Sequence, residues 1–151
     1  MEKTIVIKNG DENIEIPVKA SMAALSLYRA EFNGDLIKDL NRVYKNIHPD
    51  PFTAAMKKAE IHGDMSQDEI AKAILEHVDY STLEEESPLP SADDQITALH
   101  IVWTMAKAAD KNIKKFDDWC DRFEILPVSG LIDKCNEIWT AANMTTVELK
   151  N

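Results

Sequence analysis

Glycine is scarce in this chain, with four spread widely among 151 residues. A phosphate cradle needs grouped glycines that bring backbone N–H groups onto the anion, so neither a Walker-type nor a dinucleotide loop is expected. The serine elbow G-x-S-x-G is missing too. Only two cysteines occur, Cys120 and Cys135, and neither has CxxC or histidine-paired spacing. They read as small, reduced, buried hydrophobes rather than a disulfide or a metal pair. Positive charge is in deficit: 17 Lys and Arg face 27 Asp and Glu, a formal net charge of −10. Lysine and arginine hold phosphate backbones, so nucleic acid is not an expected partner. No apolar run approaches the ~20 residues of a membrane-spanning helix, so no membrane partner is expected. The opening M-E-K passes straight into a β-like run and does not resemble a secretory signal.

What remains is a chain of ordinary apolar content (44%) and slightly high charge (29%), the composition of one globular domain over residues 1–151. Thr4 to Lys8 and Asn13 to Val18 read as two strands around an Asn-Gly turn signal. A four-residue loop, Asn9 to Glu12, sets Ile7 opposite Ile14 and Ile5 opposite Ile16 and makes one face apolar. A two-residue Asn9-Gly10 turn would set Ile7 against Glu12 and waste that face. Pro17 has no N–H for a ladder, so its strand must be unpaired there. A lone hairpin is marginal in water and has to pack on helices or on another subunit.

The rest, residues 21–143, reads as a helical body. Ser21 is an expected N-cap, followed by Leu25, Tyr28 and Phe32 at helical spacing. Gly34 suits a left-handed helix end, and Asp35 can cap the next helix, whose stripe runs Leu36, Leu40, Val43, Ile47. Asp50-Pro51 restarts a helix that is expected to end near His62-Gly63. Ser66-x-x-Glu69 has the capping-box pattern. Residues 79–90 are acidic, hold two prolines and read as a linker. Ser91 then caps a helix whose residues Ile96 to Ala109 are apolar on nearly every side, which implies central burial or a covering partner. Phe116, Trp119 and Phe123 share a face of a short helix. Leu131, Cys135, Ile138 and Ala142 line the last one, and residues 144–151 are expected to fray. The fold class is therefore mainly α: an N-terminal β-hairpin followed by six to seven helices.

Few constellations suggest chemistry. His48-Pro49-Asp50 matches the tripeptide with which J-domain co-chaperones dock on a heat-shock partner, downstream of a helix carrying Lys38, Arg42 and Lys45. Pro51 and Phe52 depart from that pattern, and a helix stop and restart explains the same residues. His48, His62, His77 and His100 stand on separate elements and make no ligand set. Glu84-Glu85-Glu86 and Asp117-Asp118 read as solvated linker and helix face. No catalytic, metal or cofactor residues are assigned, and no enzyme is expected. Six of the ten aromatics fall in two blocks, Ser21–Leu40 and Ile96–Phe123. As large contact surfaces of low entropic cost, Tyr28, Phe32, Trp103, Trp119, Phe123 and Trp139 are interaction candidates, and Asp35 joins them; aromatics equally build cores.

The two blocks together resemble the tail assembly chaperones of long-tailed bacteriophages and prophages. Tyr28-Arg29-x-x-Phe32, Gly34-Asp35 and Leu36 to Leu40 are similar to that family's Y-R-x-x-F-G-x-D-x-x-x-D-L stretch, here with Asn33 inserted before Gly34. The resemblance recurs in Trp103-x-Met105-Ala106-Lys107-x-Ala109-Asp110 and in Phe116-x-x-Trp119-x-x-x-Phe123; residues 51–90 have no counterpart in it. It implies a bacteriophage protein of the bacterial host cytoplasm, absent from the mature virion. Its partners would be the tape-measure protein, kept soluble, and the tail-tube protein, helped to polymerise. Independently of the resemblance, the hairpin edge or a greasy helix face offers a surface for self-association, which is expected. The rival reading is a small acidic helical adaptor or regulator of the cytoplasm.

Overall fold

The computed structural model describes residues 1–9, 11–79, 89–124 and 126–150. It is mainly helical, with one N-terminal hairpin: β1 (Glu2–Asn9), β2 (Glu12–Lys19), α1 (Met22–Phe32), α2 (Leu36–Ile47), α3 (Pro51–Lys58), α4 (Gln67–Glu76), α5 (Ala92–Ala109), α6 (Phe116–Cys120) and α7 (Val128–Ala142). Most of the acidic segment at residues 79–90 lies outside the described residues. The chain divides into two compact units, one of Met1–Tyr44 with Pro90–Asn151 and one of Lys45–Leu89.

In the first unit the hairpin has the expected register, Ile5 opposite Ile16 and Ile7 opposite Ile14. The ladder runs further than expected, closing at Asn9 opposite Glu12. Met1 and Ala20 exchange backbone hydrogen bonds at 3.0 and 2.9 Å. Antiparallel pairs alternate between bonded and unbonded, so counting from that pair leaves Thr4 opposite Pro17 unbonded. Pro17 therefore sits inside the ladder, against the expectation that its strand is unpaired there, and its missing N–H faces the free edge of β2. Ile5, Ile7, Ile16 and Val18 are buried while Val6 and Pro17, on the other face, are exposed.

That apolar face is covered by α5, which also touches α1, α6 and α7. Its greasy circumference thus has an intramolecular explanation. Ala98, Ile101, Val102, Trp103, Thr104, Met105 and Ala106 are all buried, and each large aliphatic so covered contributes about 1.5–3 kcal/mol. Thr104, fully buried, donates its hydroxyl to His100 O of the preceding turn at 2.7 Å. Helix starts follow the capping residues: Ser21, Asp35, Asp50, Ser66 and Ser91 each accept from a backbone N–H one turn in or less. Asp50 thereby restarts the chain at Pro51, so His48-Pro49-Asp50 marks a helix break.

Two helix ends differ from expectation. The left-handed residue after α1 is Asn33 (φ 51°), whose N–H donates to Arg29 O at 2.9 Å. Asparagine tolerates this region because its short polar side chain can bond locally, and Gly34 is free for a different task. Helix α3 ends at Lys58, with Ala59 extended, short of His62-Gly63. In the second unit α3 packs on α4. Ala55 is fully buried there, whereas no residue of α4 is. Among the described residues no helix is long and apolar enough to cross a membrane.

Candidate functional site

Tyr28 and Phe32 stand one turn apart on α1 and meet at 5.3 Å between ring centroids. Tyr28 is buried and its hydroxyl donates to Asp39 Oδ2 at 2.7 Å. Asp39 also pairs with Arg42 at 3.5 Å, and Arg42 Nη2 reaches Thr97 Oγ1 at 3.4 Å, linking α1, α2 and α5. Burial foremost, then the bond to Asp39, raises the Tyr28 pKa well above the usual phenol range. A polar strut thus sits beneath an aromatic layer.

Phe32 lies flat on His100 at 3.8 Å with 10° between the planes. Phe116 meets both edge-on, at 5.5 and 4.7 Å, and Trp103 meets Phe32 edge-on at 5.7 Å. Phe32, His100 and Phe116 are half-buried, so this shelf reaches the surface. Burial lowers the His100 pKa below 6.5, which keeps the stacked ring neutral at pH 7.

The candidates separate. Tyr28, Phe32 and Trp103 come together, with His100 and Phe116 added. Trp103 is buried and donates Nε1–H to Lys114 O at 3.0 Å. Trp139 is buried and points its Nε1–H at Met105 Sδ, 3.4 Å away. Indole N–H groups satisfied inside the fold belong to the packing of the unit. Trp119 is buried and forms a separate pair with half-buried Phe123 at 4.8 Å, with the Arg122 guanidinium 5.4 Å from the Phe123 ring centre. Asp35 is exposed and caps α2 through Lys38 N at 3.0 Å.

None of the sequence-predicted interaction candidates falls in the second unit, where large apolar side chains stand in the open. Phe52 is 48%, Met56 53%, Ile61 43% and Leu75 51% exposed. Phe52 and Met56 are one turn apart on α3, while the inward position Ala55 has only a methyl group to bury. The spacing of 52, 55, 56 and 59 reads as an ordinary inward stripe, so the sequence carried no signal that its large members face out.

Among the described residues no three His, Cys, Asp or Glu side chains gather to hold a metal. Burial pushes the Cys135 thiol up to about 12, and it raises Cys120, helped by Asp117 and Asp121. Neither is an activated thiolate. Compared with family models, curated proteins and solved structures, the chain matches none.

Proposed function

We propose that this protein is a binding protein of the holdase kind, a tail assembly chaperone that covers the apolar stripe of a helical client. The observation that carries the reading is the exposure of Phe52, Met56, Ile61 and Leu75 on a small unit that buries little of its own. Monomers keep such side chains scattered, and several on a two-helix unit favour contact with another polypeptide. Methionine adapts to irregular partners, and a helical client presents anchors at the matching one-turn spacing. A net charge of −10 keeps protein and client apart from other complexes by like-charge repulsion.

The identity of the client rests on the resemblance described under the sequence: the tape-measure protein, with the tail-tube protein as the chain that polymerises around it. Co-expression tests it. A tape-measure segment produced with this protein is expected in the soluble fraction and in a tagged pull-down. A segment that stays insoluble beside a well-folded partner would contradict the proposal and favour the acidic adaptor.

A further inference from the structure

The free edge of β1 borders a groove of about 570 Å³ whose other wall is α7. Its lining includes Thr4, Ile5 and Val6 of the strand and Glu137, Ile138 and Ala141 of the helix. The alternation that starts at the Met1–Ala20 pair turns the N–H and C=O groups of Thr4 and Val6 away from β2. They point into the groove, where an added strand would find donors and acceptors at the correct spacing.

A segment patterned for that place exists in the chain itself. Residues 145–150, T-T-V-E-L-K, alternate polar and apolar, and outside regular structure they expose Val147 by 93% and Leu149 by 96%. Their own chain turns them aside: Met144 N bonds Ala141 O at 3.2 Å, and the Thr145 hydroxyl donates to Ala142 O at 3.0 Å. We infer that residues 145–150 of a second copy add to the β1 edge as an antiparallel third strand. Antiparallel pairing of Val147 with Ile5 places Thr146 on Val6, Glu148 on Thr4, Leu149 on Lys3 and Lys150 on Glu2. Val147 and Leu149 then face inward toward Ile138 and Ala141, and opposite charges meet at the end of the ladder. Parallel pairing of Val147 with Ile5 would set Lys150 against Lys8, like against like.

The interface is independent of the client reading, and two experiments on the full chain test it. Light scattering of the unmodified protein should give at least twice its 17.0 kDa, and the Val147→Asp/Leu149→Asp variant should return to the single-chain mass. Both side chains are exposed, so circular dichroism of the variant should be unchanged. In the second, a chain carrying Thr4→Cys and Glu148→Cys is mildly oxidised and the linked peptide identified by mass spectrometry. Paired residues across strands lie about 5.5 Å apart at Cα, within disulfide reach. A 4–148 link in a dimer band is the expected result. The same link in a monomer band would mean that the segment folds onto its own groove, and no link would mean that another occupant holds the edge; either overturns the inference.

Discussion

A Cβ on Gly34 would lie 3.1 Å from Asp39 Oδ2 and 3.2 Å from Tyr28 Cε1. Both neighbours are locked in the 2.7 Å hydrogen bond between them, so neither can yield cheaply. Gly34→Ala is therefore expected to cost about 1–3 kcal/mol by overpacking, read as a lower urea midpoint. Tyr28→Phe leaves the Asp39 carboxylate without its phenol donor and should cost about 1.5 kcal/mol; a change within error would make the bond incidental. His100 gives a pH-dependent test. Its pKa is 6.5 in the unfolded chain and lower in the fold. The unfolded chain thus binds the proton first, so the contribution of the neutral ring is complete above 6.5 and shrinks as pH falls through the folded pKa. His100→Phe keeps a ring on Phe32 but cannot titrate. Its urea midpoint should fall less between pH 7.5 and pH 5 than that of the parent, and equal falls would contradict this account. None of these three contacts was legible in sequence. The aromatic spacing brought Tyr28 and Phe32 to one face, but Asp39, His100 and Gly34 acquire their roles only when α1, α2 and α5 meet.

Local rules carry furthest at the level of elements. Cap residues act on N–H groups at most three positions away, which is why Ser21, Asp35, Asp50, Ser66 and Ser91 could be read directly. Hairpin register followed from the apolar face, because a one-residue slip would turn Ile5 and Ile7 to the face opposite Ile14 and Ile16. Ends without such a cue were harder to read. The left-handed position fell to Asn33 although glycine stood next to it, and α3 stopped at Lys58 with no breaker in its sequence. Ser91→Ala removes the side-chain cap at the start of α5, the helix that packs on β2, α1, α6 and α7. It should lower stability by about 1 kcal/mol, and an unchanged midpoint in chemical denaturation would show that other contacts fix that end.

At the scale of the whole molecule, the two units differ in how much they bury. Seven successive or near-successive residues of α5 are hidden from solvent besides Asp94, while α4 hides none. Amide protection follows local burial and packing, so hydrogen exchange should be slowest in α5 and much faster in α4. Equal protection of the two helices would contradict that ranking. Residue patterning announced a mainly helical protein with one hairpin. It could not announce that Phe52, Met56, Ile61 and Leu75 of the second unit would stand outward, since exposure depends on what each helix packs against. The proposed function puts these four side chains on the apolar stripe of a client helix. The most direct measurement is light scattering from an aggregating tape-measure segment, alone, with this protein, and with its Phe52→Ser/Met56→Ser variant. The account predicts that the parent protein suppresses the scattering and that the variant, equally helical by circular dichroism, loses most of that effect. Suppression by both alike, or by neither, would contradict it.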